Sequence, residues 1–351
     1  MNHRFLGSIS ALAVAIAAVW LMSAAVAAQA PSPGKQTPGA KKWTPPRTPD
    51  GQPDLQGVWD FRTVTPMERP ADLAGKEVFS DEEAAEFERR TNELQNRDRR
   101  DGAGSEEIGP DGRSDLARAY NDFWWDRGTS VIATKRTSLI VEPSDGKIPG
   151  LTPEGQARDT ERVERRAFPA VGPEDRSVGE RCLLGFNAGP PMVPSAYNNN
   201  VQIVQNRDYV VLLNEMVHDA RIVPLDGRPH VAPNIRQWKG DSRGRWEGDT
   251  LVVDTRNYLG ETSFRSSGPN LHLVERFTRV APDILLYRAT LDDPATWARR
   301  WTFEVPMTRN TEPLYEYACH EGNYGMTGIL EGARAVEKAA EDAARKQKSE
   351  N

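Results

Sequence analysis

Apolar and polar residues alternate along much of the second half of the chain, a pattern typical of β-strands with one buried face. Strand-like runs are found at 201–205, 209–223, 235–238, 244–246, 250–255, 271–280, 284–291 and 301–305. The linkers between most of these runs are short and hold Gly, Asp, Asn or Pro. Because a parallel crossover needs a dozen or more residues, such linkers favour antiparallel neighbours. We therefore predict a mainly β fold, an antiparallel barrel or sandwich with peripheral helices.

The first half of the chain carries fewer strand signals and two helix starts. Ser80 and Glu83 have the spacing of a capping box, which predicts a charged helix to about Arg97. Thr152 followed by Pro153 predicts a second charged helix over 153–166. The Ala-, Glu- and Lys-rich end of the chain predicts a peripheral helix. Further strands are expected at 54–61, 130–133 and 138–142. A Gly- and Asp-rich loop is expected at 98–116.

The N-terminal segment has the layout of a secretory signal peptide. Arg4 precedes an apolar run from Phe5 to Met22, and small residues follow as far as Ala30. A membrane anchor would need a charged stop after this run, where the chain has alanines instead. We expect cleavage after Ala28 and a periplasmic or secreted protein. The expected organisation is a signal peptide at 1–28 and a flexible Pro-rich arm at 29–53. A single β-rich domain at 54–335 and a helical tail at 336–351 are expected to follow.

The composition of the chain limits the kinds of molecule that the protein is expected to bind. The formal net charge is −6 and the chain has no basic block, so nothing favours nucleic acid binding. No second stretch reaches membrane-spanning length, and we expect no membrane span after signal removal. Hydrophobic residues at 38%, with nine Trp, indicate a packed fold rather than a disordered chain.

Two cysteines lie in the part of the chain that follows the signal peptide. Outside the cytoplasm, Cys182 and Cys319 are expected to form a disulfide. The alternative is a Cys319 nucleophile activated by the adjacent His320, which requires a reduced thiolate.

Four long motifs resemble a large family of secreted proteins from soil bacteria. They are WEGDTLVVDT, EMVHDAR, LHLVERF and YACHEGNY, at 246–255, 215–221, 271–277 and 317–324. The resemblance covers most of residues 43–335 and implies export and a single fold, but it brings no activity. Leu55-Gln-Gly-Val-Trp59 is similar to the Gly-x-Trp opening of lipocalin barrels, which implies a lipocalin-like barrel.

Histidines beside carboxylates are the candidates for catalysis, because imidazole and carboxylate form acid–base pairs and metal sites. The candidate catalytic set is His218, His272, His320 and Glu321. On a regular strand, neighbouring side chains point to opposite faces, so His218 and Asp219 would not meet in one cavity. The same set is also consistent with polar networks at strand ends, and its spacing matches no metal template. Gly240-Asp-Ser-Arg-Gly244 fits the hydrolase Gly-x-Ser-x-Gly motif but has the context of a hairpin loop.

Aromatic and amide side chains are the candidates for ligand binding. They are Tyr197, Asn199, Arg236, Trp238 and Tyr324. Many Trp and few convergent titratable groups favour an exported protein that binds a small, partly apolar ligand. Two alternatives stay open: a periplasmic hydrolase or lyase with a His/Glu site, with or without a metal, and an envelope scaffold protein.

Overall fold

The fold is described from a computed structural model, which covers residues 43–98, 121–166, 169–262 and 264–350. The predicted signal peptide, most of the predicted arm and all but the first residue of the predicted 98–116 loop lie outside these residues. The chain from Thr44 onward forms one compact unit. The strands are β1 (Gly57–Asp60), β2 (Ile140–Glu142), β3 (Asn200–Gln205), β4 (Tyr209–Asn214), β5 (Asp219–Pro224), β6 (Asp241–Glu247), β7 (Thr250–Arg256), β8 (His272–Ala281), β9 (Ile284–Asp292) and β10 (Trp301–Asn310).

All ten strands belong to one antiparallel sheet, which confirms the predicted mainly β fold. The order is β5-β4-β3-β1-β10-β9-β8-β7-β6, and β2 pairs with β10. Inward positions alternate with outward ones along β8 and β9, as the period of two requires. Their inward side chains join a single core that also holds Trp59, Trp297 and Trp301. The sheet is therefore curled around large side chains.

The sheet does not close into a barrel, so the closed form of the predicted barrel is wrong. No ladder joins β5 to β6 in the described residues, although both lie at the ends of the strand order. Nine antiparallel strands on one path leave the two end strands running in the same direction, so closure would need a parallel pair. A single sheet also excludes the two-sheet sandwich.

Strands β5 and β6 nevertheless approach each other along this open seam. Lys239 forms an ion pair with Asp219 at the start of the two strands. Further along, a Cβ built on Gly244 would come 2.8 Å from Val223 Cγ1 and 2.6 Å from Leu225 Cδ2. The seam is therefore packed by side chains where backbone hydrogen bonds are missing.

Three of the predicted strands are wrong in detail. The predicted strand 209–223 is a hairpin, because Val217 and His218 adopt φ values of 62° and 40° and turn the chain between β4 and β5. Left-handed backbone at a β-branched residue has no sequence signal. The segments 130–133 and 235–238 are irregular; the latter has one isolated bridge, from Gln237 to Tyr258.

The predicted helices are confirmed. Helix α1 (Asp81–Gln95) begins at the capping box, in which Ser80 Oγ accepts from the Glu83 amide and the Glu83 carboxylate accepts from the Ser80 amide. Helix α2 (Pro153–Arg165) is capped by Thr152, and α3 (Tyr324–Glu350) ends the chain. Within the described ranges, no helix has both the length and the apolar character needed to span a membrane.

Candidate functional site

The disulfide expected between Cys182 and Cys319 is present. It fixes the segment that precedes α3, and Asn323 adds a bond from its Nδ2 to the Glu180 carbonyl, at 2.8 Å. The candidate residues His320 and Glu321 are exposed on this anchored segment, and Tyr324 is 82% exposed. The segment is therefore held in place, while its three candidate side chains face solvent.

The candidate histidines are dispersed. His218 is exposed in the β4–β5 turn, with its Nδ1 3.1 Å from the Tyr317 carbonyl. His272 lies on the outer face of β8, with its Nε2 2.8 Å from Asp254 Oδ2. Among the described residues, no hydrogen bond or ion pair joins any two of His218, His272 and His320. The same residues contain no group of three or more His, Cys, Asp or Glu side chains that could hold a metal ion.

Asp254 is the centre of an outer-face cluster that sequence reasoning missed. Its second carboxylate oxygen lies 3.0 Å from Nε2 of His230, whose Nδ1 lies 2.8 Å from Asp241 Oδ2. Burial alone would raise the pKa of Asp254, but hydrogen bonds from His272 and Arg256 outweigh it and hold this pKa well below its ordinary value. The hydrogen bonds around this carboxylate thus favour its ionised form.

Glu275, three residues after His272 on β8, faces the core. Its two oxygens accept from both terminal nitrogens of Arg221, at 2.5 and 2.9 Å. The Tyr287 hydroxyl donates to the same carboxylate at 2.8 Å. Burial and then the Glu275 charge raise the pKa of Tyr287. Because all of these groups are buried and paired, they form a structural network inside the sheet.

Two of the candidate ligand residues lie at the seam. Arg236 donates from Nη1 to the carbonyls of Tyr258 and Pro269, at 3.0 and 2.8 Å. The Trp238 ring lies under the guanidinium of Arg181, and the guanidinium carbon is 5.7 Å from the ring centroid. Both residues line a cleft of about 580 Å³ between β5 and β6. The Arg236 contacts are to backbone, so this arginine fixes loops at the seam.

The other two candidates, Tyr197 and Asn199, support a different cleft, which we call the tryptophan cleft. Asn199 is buried; its Nδ2 donates to the Asp126 carbonyl at 2.8 Å, and its Oδ1 accepts from the Ser195 amide at 2.8 Å. The Tyr197 ring packs edge-on against Trp125, with centroids 6.0 Å apart. These contacts hold two walls of the cleft in fixed positions.

The tryptophan cleft has a volume of about 540 Å³ and an apolar floor. The floor is formed by side chains that also pack against the core or lie in it: Val64, Met67, Leu139 and Val193. The cations that line the cleft are Arg97, Arg127 and Arg265. No Asp or Glu is present among the described lining residues, so the cleft combines an apolar floor with cationic side chains.

Two of the arginines are fixed over the Trp125 ring. The guanidinium carbon of Arg97 lies 4.4 Å from the ring centroid, and that of Arg127 lies 5.7 Å from it. Arg127 also donates to Asp122 Oδ1 and to the Gln95 carbonyl, both at 2.6 Å, which joins the end of α1 to the segment that carries Trp125.

Arg265 differs from Arg127, because no carboxylate of the described residues lies within 4.0 Å of its guanidinium. The Trp125 indole Nε1 and the Gln95 Oε1 are also buried and have no hydrogen-bond partner in the described structure. Buried polar atoms normally have partners, so these two are exceptions in a part of the chain that lines the cleft.

Comparison with family models, curated proteins and solved structures finds no match to this chain. Fold and geometry therefore define the class: a mainly β protein with an open, curled sheet, a disulfide-anchored C-terminal segment and a cationic surface cleft with an apolar floor.

Proposed function

We propose that this is an exported protein that binds a small, partly apolar anion in the tryptophan cleft. The observation that carries the proposal is the lining of the cleft, in which three arginines stand over an apolar floor with no carboxylate among the described lining residues. The volume of about 540 Å³ is in the range of small-molecule sites. A carboxylate or sulfonate on a short hydrocarbon fits both features.

The size of the expected effects follows from the two parts of such a ligand. A hydrocarbon part that loses roughly 150 Å² of exposed surface gains about 4 kcal/mol. A charge-assisted hydrogen bond to a guanidinium adds about 1.5–3 kcal/mol. One arginine contact is therefore worth about tenfold or more in affinity.

Arg265 is the residue to test, because it contributes charge to the cleft without holding an ion pair in the described structure. We expect Arg265→Gln to weaken binding of the fluorescent anion 1-anilinonaphthalene-8-sulfonate about tenfold. We expect Arg265→Lys to weaken it less, because the charge remains while the planar donor pair is lost. Fluorescence titration measures both constants.

The matched control is Arg299→Gln. Arg299 is an exposed arginine whose nearest carboxylate, that of Asp145, is 3.9 Å away, and it does not line the cleft. We expect this variant to bind the probe as the parent protein does. Equal affinity of the Arg265→Gln and parent proteins would contradict the proposal.

Export is the second part of the proposal and rests on the signal-peptide layout of residues 1–28. The Cys182–Cys319 disulfide is consistent with an oxidising compartment. N-terminal sequencing of the protein from the periplasmic or culture fraction is expected to begin at Gln29. An uncleaved chain in the cytosol would contradict this part alone.

A further inference from the structure

His230 lies between two carboxylates of the outer-face cluster. It belongs to the connection from β5 to β6, residues 225–240, and its side chain is partly buried. Its Nδ1 is 2.8 Å from Asp241 Oδ2 at the start of β6, and its Nε2 is 3.0 Å from Asp254 Oδ1 on β7. Both ring nitrogens therefore face a carboxylate oxygen at hydrogen-bond distance.

The number of protons on the ring decides how many of these contacts are hydrogen bonds. A neutral imidazole has one N–H group and one lone pair, whereas an imidazolium has two N–H groups. Because an ionised carboxylate only accepts, both contacts are hydrogen bonds only when the His230 ring carries two protons. With one proton, the ring lone pair faces a carboxylate oxygen at 2.8 or 3.0 Å.

Both carboxylates also accept hydrogen bonds from other groups. Asp241 accepts from the Val231 amide at 3.1 Å, and its other oxygen is 2.6 Å from Arg243 Nη1. Asp254 accepts from Arg256 Nε at 2.9 Å and from its Nη2 at 3.4 Å. Because each carboxylate accepts on both oxygens, neither supplies the proton that a neutral ring lacks.

His272 is the other histidine of this cluster, and it contacts a single carboxylate. Its Nε2 is 2.8 Å from Asp254 Oδ2, and no other carboxylate of the described residues lies within 4.0 Å of its ring nitrogens. A neutral His272 keeps this hydrogen bond when its proton is on Nε2. Loss of one proton therefore removes a hydrogen bond from His230 and none from His272.

The residues on both sides of His230 are also bonded to the sheet. Arg243 Nε donates to the Pro229 carbonyl at 3.0 Å, and Asn257 Nδ2 donates to the Val231 carbonyl at 3.0 Å. These bonds do not involve a histidine proton. Deprotonation of the ring therefore weakens the attachment of this connection without removing it.

We propose that His230 is a pH-sensitive latch, which holds the 225–240 connection on β6 and β7 when its ring carries two protons. Imidazole is the side chain whose charge ordinarily changes between pH 5 and 8. The stabilising contribution of the latch is present at acid pH and is lost as the pH rises. Arg236 and Trp238 belong to the same connection and line the cleft between β5 and β6, so release of the latch increases access to this cleft.

Hydrogen exchange of the full chain tests the latch, with the amides of residues 225–240 followed by mass spectrometry at about pH 5.5 and about pH 8.5. After correction for the direct effect of pH on exchange, we expect protection in the parent protein to be about tenfold lower at the higher pH. We expect His230→Gln, which cannot gain a proton, to have this lower protection at both pH values. His272→Gln is the matched control and should keep the pH dependence of the parent protein.

A measurement on the parent protein covers the case in which His230→Gln does not fold. Nitrogen-15 chemical shifts of the His230 ring should indicate two N–H groups at about pH 5.5 and one at about pH 8.5.

Parent protection that does not change with pH would overturn the inference, as would a His230→Gln protein with the parent's pH dependence. A His230 ring with the same number of N–H groups at both pH values would also overturn it. Loss of the pH dependence in His272→Gln would assign the effect to the other histidine and contradict the latch. Neither histidine lines the tryptophan cleft, so these outcomes do not depend on the proposed function.

Discussion

Asp254 shows how much one side chain can organise on an exposed sheet face. It projects from β7, and its two carboxylate oxygens form hydrogen bonds with His230, His272 and Arg256. Its side chain is 18% exposed, so this carboxylate is mostly removed from water and is held by hydrogen bonds instead. This cluster joins the 225–240 connection to β7 and β8.

The lowered pKa of Asp254 predicts how stability depends on pH. A carboxyl whose folded-state pKa lies below its unfolded value of about 3.9 adds stability that is fully present above that value. The contribution is lost as pH falls through the folded pKa. We therefore expect acid unfolding below about pH 4 to be less steep in Asp254→Asn, measured by denaturant titration at successive pH values.

The control for this measurement is Asp208→Asn, which changes a loop carboxylate that forms no ion pair in the described structure. Its profile should follow that of the parent protein. If Asp254→Asn has the parent profile as well, the carboxylate contributes nothing to acid stability and its structural role is refuted.

At the scale of elements, the seam between β5 and β6 depends on one small residue. Gly244 faces inward from β6, opposite Val223 and Leu225. Its backbone φ lies outside the left-handed region, so the need for glycine here comes from packing rather than from conformation.

Gly244→Ala tests this packing. The added methyl would come within 2.8 Å of Val223 Cγ1, and overpacking of this kind costs about 1–3 kcal/mol of unfolding free energy. Gly150→Ala is the control, because a Cβ there meets nothing within 4 Å. We expect urea unfolding to give a lower free energy of unfolding for Gly244→Ala than for Gly150→Ala. Equal free energies would contradict tight packing at the seam.

Local sequence signals predicted most elements, and they failed where tertiary packing decides the backbone. The caps at Ser80 and Thr152 predicted the starts of two helices, and the turn residues predicted the β6–β7 and β8–β9 hairpins. The turn at Val217 was missed because its apolar residues continue the strand pattern. Closure into a barrel depends on the number of strands in the hydrogen-bonded order of the sheet. A short stretch of sequence does not contain that number.

At the scale of the whole molecule, a buried ion pair ties the two ends of the sheet together. Arg221 is on β5, the first strand in the order, and Glu275 is on β8, near the other end. Their side chains are 7% and 0% exposed. Because no ladder joins the ends in the described residues, this pair substitutes for part of the missing closure.

A double-mutant cycle measures the interaction free energy between Arg221 and Glu275. Arg221→Met and Glu275→Leu should each cost about 3–5 kcal/mol of unfolding free energy, because each leaves a buried charge unpaired. The double variant should lose much less than the sum. Additive losses in chemical denaturation would show that the pair does not act as a unit.

The candidate sites were only partly predictable for the same reason. Tyr197 and Asn199 were predicted as ligand residues; they do not line the tryptophan cleft but contact Trp125 and the Asp126 carbonyl beside it. Trp125 was missed, because the residues that line this cleft come from several separate segments of the chain. The one local signal was Trp125 two residues before Arg127 in a segment without strand periodicity.

The proposed function depends on one property of the tryptophan cleft, namely that it selects for negative charge on an apolar guest. Calorimetric titration with octanoate and with octan-1-ol compares two ligands of equal chain length that differ in charge. We expect one site that binds octanoate at least about tenfold more tightly than the alcohol. Equal affinities, or no binding of octanoate, would contradict it.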